Sequence, residues 1–423
     1  MKMRRTVAVM MLVLVVALTL TVQLASSAAS ASSGREPVTL VLANYFNGAR
    51  IPLVDYQLQL FQEKYPWITV INQVTSSSAV EKYLVSIAAG SPPDVWMFDR
   101  IRIPEFVGSG LIQPLDDFMQ QDGFDMNLFY PSEQQLCQYK GKYYSLPMMA
   151  AGMSLLYYNR ELLAQGGYNR DGAPKTWQEF LQMATRLQRI DADGKVQING
   201  GEISYFPRYR LAQLAYTNGA QIYDDPFNIN YLTDSVREAA DWAVEFAQRV
   251  PVGGAMAAGT RVFQTHGEWF YFTTKSTNPE LDLGIALLPH GPRGETVNLS
   301  GAAYSYGIPV GVKHPYESWL LIKFLTTSEE AGRIIAFEQG RPSPVIRFNL
   351  DRRYFETNPF WHVVAENLNR TVGIAPSPLA VKFYTIDVKY YEQLLSLNQS
   401  REEILNNLQK EIDNHIAHYH AGR

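Results

Sequence analysis

The sequence predicts an α/β protein built from more than one domain. Strand-like and helix-like segments alternate from Val38 onward, the 423-residue chain exceeds what one core normally supports, and no low-complexity linker or internal repeat divides it. At 46% hydrophobic and 18% charged, the composition is that of a packed globular chain rather than a disordered one. Cys137 is the only cysteine, so no internal disulfide braces the fold.

The first segment is a leader. Lys2, Arg4 and Arg5 precede an apolar run from Val7 to Val22, then small residues from Ala25 to Ser33, with Ala29-Ser30-Ala31 as an A-x-A cleavage site. Residues 1–31 therefore read as an export signal. The run is about as long as the shortest spanning helices, which keeps an uncleaved anchor as the rival. No cysteine stands at the cleavage point, so lipid anchoring through one is not expected. Without residues 1–31, 34 basic residues face 41 acidic ones, a net charge of −7. Such a balance attracts neither nucleic acid nor an anionic membrane.

The elements then follow in order. Val38–Ala43 reads as a strand. Pro52–Lys64 reads as a helix through Leu53, Tyr56, Leu60 and Phe61. Ile68–Val74 is a strand, Val80–Ala89 a helix and Asp94–Phe98 a third strand. This β-α-β-α-β order implies a parallel sheet with right-handed crossovers. Ligands of such sheets sit beyond the carboxyl ends of the strands, here at Asn44–Gly48, Thr75–Ser78 and Asp99-Arg100. Thr176-Trp177-Gln178-Glu179 is a capping box opening a helix to about Arg189. Thr233–Arg249 is a second amphipathic helix. Thr327–Glu330 and Ser400–Glu403 repeat the capping pattern before Ala331–Phe337 and Ile404–Ile416.

Aromatic residues are abundant: 7 Trp, 25 Tyr and 20 Phe, with Tyr exceeding Phe. Tyr and Trp pair an apolar face with a polar handle, which suits the C–H faces and hydroxyl rims of sugars; most of them read as ordinary core and rim packing. Between Gly267 and Pro344, aromatics stand in glycine-bearing breaks: Gly267-Glu268-Trp269-Phe270-Tyr271-Phe272, a strand-like Leu283–Leu288, then Tyr304 and Tyr306 before Gly340-Arg341-Pro342. Loops present side chains that a packed core cannot, so this stretch reads as a wall of a ligand site.

Catalytic and metal signatures are weak. The sequence carries no GxSxG, HExxH or cysteine–histidine arrangement, and its seven histidines lack metal-ligand spacing. Asp116-Asp117 and Asp224-Asp225 are adjacent acids in turn-like contexts, unlike the separated pair that glycoside hydrolysis needs. Asp191-Ala192-Asp193-Gly194 begins like a calcium loop, but Lys195 and Val196 stand where an oxygen ligand and glycine belong. A β-turn between Ile190 and Val196 is the reading adopted. No cofactor, metal or catalytic residue is assigned.

An ordered set of short motifs resembles a known family. Pro92-Pro93-Asp94-Val95-Trp96, Leu155–Leu162 (LLYYNREL), Pro174–Leu187 (PKTWQEFLQMATRL) and Thr217–Ile222 (TNGAQI) are followed by Gly267-Glu268-Trp269, Leu288-Pro289, Ile308-Pro309, His314–Leu325 and Gly340-Arg341-Pro342. Their order and spacing from Val38 to about Ile416 resemble the extracellular solute-binding proteins, family 1, of ABC importers, the group that includes the maltose-binding protein. The resemblance implies a two-lobe periplasmic-binding-protein fold of type II with hinge strands. One lobe would hold residues 38–150 and 289–343, the other 151–288 and 344–423. It further implies a monomer that closes on a carbohydrate and docks on a membrane permease.

Site residues follow from the same resemblance, position by position. Tyr45, Asn47 and Ser77 fall in strand-exit loops where the family contacts ligand. Asp99-Arg100 matches a polar pair that hydrogen-bonds sugar hydroxyls; the alternative for the pair is a salt bridge or a cap for the helix at Ile103. Trp269 matches a stacking aromatic, with Tyr271 on the same lobe. Tyr209, with Phe206 as its competitor, precedes the TNGA segment, where another stacking aromatic is common. Tyr304 and Tyr306 belong to the opposing wall, so that Trp269 faces Tyr304 across a closing cleft. The resemblance implies that the chain crosses between lobes near Ala150–Ser154, Leu288–Gly291 and Ser343–Arg347, and Arg341 stands at the third crossing. Met148-Met149-Ala150-Ala151-Gly152 lacks the acidic residue of many relatives, which departs from maltose specificity. Two other roles remain open at this stage: a binder of a glycerol-phosphate ester held by Arg100 and Arg341, and a sensory binding protein.

Overall fold

The computed structural model describes residues 35–422, apart from 47, 76–79, 151–153, 204–207, 301–302 and 339. The expected export signal lies outside the described residues. Among those described, no helix is long and apolar enough to cross a membrane. The chain divides into two compact units. The first holds the described residues up to Met97 with Leu111–Gln113 and Tyr306–Ile335; the second holds Phe98–Gly110, Pro114–Ser305 and the remainder from Ala336. Relative to the expected lobes, most of 98–150 and the segments 289–305 and 336–343 fall with the second unit. Trp269 and Tyr304 accordingly belong to one unit.

The first unit opens with β1 (Val38–Asn44), α1 (Ile51–Lys64), β2 (Ile68–Val74), α2 (Val80–Ala88) and β3 (Val95–Asp99), whose last two residues, Phe98 and Asp99, fall with the second unit. β1 lies between β2 and β3 and is parallel to both, with Val38 opposite Ile68 and Leu42 opposite Val95. The expected β-α-β-α-β unit is present, with ends displaced by a residue or so. The buried stripe of α1 shares Phe61 with the expected one and otherwise differs. Val54, Gln57, Leu58 and Phe61 face inward, whereas Tyr56 is 51% exposed. Both stripes satisfy the helical period; Gln57 is tolerated inside because its Nε2 donates to Ala331 O at 2.7 Å.

In the second unit, α3 (Pro131–Cys137) leads to β4 (Ser154–Asn159), a strand buried along its whole length. α4 (Trp177–Leu187) begins with the predicted reciprocal cap: Thr176 accepts from Glu179 N, and Glu179 accepts from Thr176 N. β5 (Val196–Glu202), α5 (Leu211–Tyr216), α6 (Asp234–Arg249), β6 (Arg261–Gly267), α7 (Phe270–Thr277) and β7 (Leu283–Ala286) follow. The sheet runs in the order β7-β4-β6-β5, with a short outer strand at Arg189–Ile190. β4 is antiparallel to β6 and β7, while β5 and β6 are parallel. Turn geometry accounts for Asp191–Lys195: Asp191 Oδ1 accepts from Asp193 N and Lys195 N, and Gly194 takes φ +79°. Glu202, twelfth in that stretch, pairs with Arg261.

β8 (Tyr304–Gly307) carries the chain back to the first unit, where α8 (Pro315–Thr327) packs Phe324 edge-on against Phe61 of α1 at 5.5 Å. Thr327 ends α8 rather than capping a new helix, because its hydroxyl donates back to Lys323 O at 2.8 Å. Ser328 takes the capping role, accepting from Ala331 N at 2.9 Å. The second unit closes with α9 (Trp361–Asn369), α10 (Ala380–Ser396) and α11 (Arg401–Ala421), the last capped by Ser400 as expected.

Candidate functional site

Trp269 stands at the turn from β6 to α7. Tyr157 of β4 fixes that turn from below, donating its hydroxyl to Gly267 O at 2.9 Å and Glu268 O at 3.2 Å. The ring of His266 accepts from Gly267 N through Nδ1 at 2.8 Å, and burial lowers its pKa, so the imidazole stays neutral. His266 stacks on Phe270 at 4.4 Å and meets Trp269 edge-to-face at 5.5 Å. Gly267 is required by close approach: a Cβ there would lie 2.3 Å from the Trp269 ring. The result is a half-buried indole on a rigid strand end. Arg341 lies over it, with Cζ 4.4 Å from the ring centroid. Tyr271, half-buried, lines an adjoining pocket of about 300 Å³ with Phe272, Phe337, Tyr354 and Trp361.

Both arginines expected at the site are charge-matched. Arg341 lies 3.5 Å from the buried Glu268 carboxylate and 3.0 Å from Met149 Sδ. Arg100 corrects the expectation of a ligand-facing side chain. It is 1% exposed, forms an ion pair with Glu133 of α3, and donates to Met149 O at 3.2 Å. A guanidinium that deep is stable only with its partner carboxylate, and the pair turns it away from solvent. Methionines 148–149 thus serve packing and support, with Met148 N donating to Tyr304 O at 3.1 Å.

Asp99 pairs instead with Arg208, a residue that sequence reasoning missed. Its other oxygen accepts from Ile101 N at 3.3 Å, so the salt-bridge and cap alternative describes its present partners. The two side chains are 16% and 20% exposed, and Arg208 lies 5.2 Å from the Tyr384 ring. Arg208 enters just before α5, whose first turn is held by Asp387 of α10. That carboxylate accepts from the backbone N–H groups of Arg210, Leu211 at 3.2 Å and Ala212 at 2.9 Å, and from Tyr231 Oη at 2.8 Å. Burial pushes the Asp387 carboxyl up to about 6, and the four donors draw it back toward the ionised form.

Three expected aromatics are buried. Tyr45 is 6% exposed, with its hydroxyl accepting from Trp96 Nε1 at 2.8 Å. Tyr209 is 3% exposed and packs 4.8 Å from Tyr223; burial raises its hydroxyl well above the usual range. Tyr306 is 1% exposed, and burial raises its pKa also. Packing against neighbouring rings and strands takes these side chains from the wall where they were expected. Tyr304 stays half-buried. Asn47, Ser77 and Phe206 lie outside the described residues. A surface groove of about 910 Å³ between α4 and α6 includes none of the expected site residues.

The family profile described as bacterial extracellular solute-binding protein matches residues 48–332. The chain belongs to that family. Among curated relatives, this solute-binding protein is 22% identical over 348 residues to the maltotriose-binding protein of Pyrococcus abyssi, covering 77% of this chain and 73% of that one. Among solved structures, the sugar-binding protein MalE of Xanthomonas citri superposes with a TM-score of 0.77 at 20% identity, over 90% of this chain and 98% of the other. The mannotriose-bound protein CpMnBP1 gives 0.74 at 22%, over 89% and 100%. At these identities the structural likeness establishes the fold: the two-lobe α/β fold of solute-binding proteins.

Proposed function

We propose that this chain is the extracytoplasmic solute-binding subunit of an ABC importer, capturing a neutral carbohydrate of oligosaccharide size and delivering it to a membrane permease unchanged. The observation that carries the choice of ligand is the half-buried indole of Trp269, set on a rigid strand end. Arg341 lies over this ring, and once that guanidinium is displaced the indole offers the apolar face of a sugar a stacking platform. Relatives named for maltotriose and mannotriose point the same way. Export, a monomeric state and the lobe boundaries of the family belong to the same proposal.

Charge matching weighs against the phosphate-ester alternative. Arg100 and Arg341, which would have held the anion, face the buried carboxylates of Glu133 and Glu268. Nor do the adjacent acids form a hydrolytic pair. Asp116 accepts from the distant Tyr143 N at 3.1 Å, and Asp225 makes a local turn by accepting from Phe227 N and Asn228 N at 2.8 and 2.7 Å, so both carboxylates have structural partners.

Thermal-shift and calorimetric titrations with glucose, mannose, maltotriose, mannotriose and glycerol 3-phosphate test the proposal. A saccharide at a hundredfold excess over its Kd stabilises the protein by about 2.7 kcal/mol and is recovered intact. Absence of stabilisation by every saccharide, or products on incubation, contradicts it.

A further inference from the structure

We propose that Arg208 is a specificity-determining ligand contact, acting with Asp99 as a paired donor and acceptor for two neighbouring hydroxyls of the bound saccharide. The inference rests on the carbohydrate reading and deepens it. Asp99 closes β3, the place where strand ends of such sheets meet ligands. Its side chain and that of Arg208 are 16% and 20% exposed, so each is mostly covered and still reaches solvent in part.

Arg208 is held in three ways. Asp99 takes its Nη2, the Tyr384 ring lies 5.2 Å away, and two residues on, Asp387 fixes the backbone through the N–H groups of Arg210, Leu211 and Ala212. Tyr384 and Asp387 lie within one turn of α10, so a single helix supports both the guanidinium and the backbone that carries it. An exposed ion pair on flexible stems contributes little; this one is anchored, so ordering it on binding costs little further entropy.

The chemistry suits a diol. A guanidinium has five N–H donors in a fixed fork, and a carboxylate has about four acceptor sites. With one oxygen engaged by Arg208 and the other by Ile101 N, each retains acceptor capacity beside the outer N–H groups. One hydroxyl donates to Asp99 while its neighbour accepts from Arg208, both bonds being strengthened by charge. The opposite charges cancel, which favours a neutral polyol over an anion.

Calorimetry on wild type, R208A, R208K and W269A with maltotriose, mannotriose and their monodeoxy derivatives tests this, with the melting temperature of each empty variant as the control for folding. R208A is expected to bind the preferred trisaccharide about ten- to hundredfold more weakly, R208K less so, the range of lost charged hydrogen bonds. The penalty for deleting one ligand hydroxyl should also vanish in R208A while persisting in W269A. Affinity of R208A within about twofold of wild type, or an unchanged deoxy penalty, overturns the proposal alone. If R208A does not fold, R208K carries the same two readouts. Failure of wild type to bind any saccharide overturns the carbohydrate reading and this inference with it.

Discussion

Trp269 and Arg100 show what a residue can and cannot announce. The glycine before Trp269 marks a close approach, and the structure supplies its reason in the ring folded back over Gly267. Trp269→Ala is expected to weaken saccharide binding by roughly 1 to 3 kcal/mol, the range of lost stacking plus burial, in a calorimetric titration. Unchanged affinity with an intact fold would place the indole in the core. Arg100 sits beside Asp99 in sequence yet pairs with Glu133, and Asp99 pairs with Arg208. Asp99 ends β3 and Arg100 opens a 3-10 turn, so the two side chains leave a changing backbone in different directions and sequence neighbourhood is a poor guide to pairing there. Glu133→Gln leaves a buried guanidinium uncompensated and should cost about 3 to 5 kcal/mol in urea unfolding. Replacing both partners by apolar residues should recover most of that, and equal losses in single and double variants would contradict the account.

At the scale of elements, local chemistry was legible and long-range chemistry was not. The caps at Thr176 and Ser400 could be read because donor and acceptor lie within four residues. The inward face of α1 could be read only at Phe61, since Leu53-Tyr56-Leu60-Phe61 and Val54-Leu58-Phe61 both fit the helical period and only the packed neighbours decide. Asp387 was invisible for the same reason: an acid in an amphipathic helix reads as exposed, and its partners come from α5 and Tyr231. Its titration yields a prediction with a definite sign. The carboxyl rises from an ordinary 3.8 to about 6 in the folded state, so the folded protein holds its proton more tightly than the unfolded chain. The associated stability is fully present below about pH 4 and is lost as pH rises through 6, amounting to about 3 kcal/mol. Urea unfolding of wild type and Asp387→Asn from pH 4 to 7 should show this fall in wild type alone. Parallel profiles would refute it.

For the whole molecule, the order of motifs carried the fold where no single motif did. The expected β-α-β-α-β unit is present, and the family profile spans residues 48–332. The ligand wall was harder to read. Aromatic residues in broken segments were the signal, and Trp269, Tyr271 and Tyr304 remain half-buried while Tyr45, Tyr209 and Tyr306 pack inside. Sequence gives the same residue type to a platform and to a core, and burial alone separates them. Charge balance adds a prediction at this scale. Because Arg100, Arg208 and Arg341 each face a carboxylate, binding of a neutral saccharide should change little between low and high salt. A steep loss of affinity with salt would instead indicate an anionic ligand.

The most direct measurement is isothermal titration calorimetry of the purified protein with maltotriose, mannotriose and glycerol 3-phosphate, in wild type and W269A, with the ligand analysed afterwards. The account predicts saturable binding of a trisaccharide by wild type, marked weakening in W269A, no binding of the phosphate ester, and unaltered sugar at the end. Binding of glycerol 3-phosphate without any saccharide, or a cleaved trisaccharide, would contradict it.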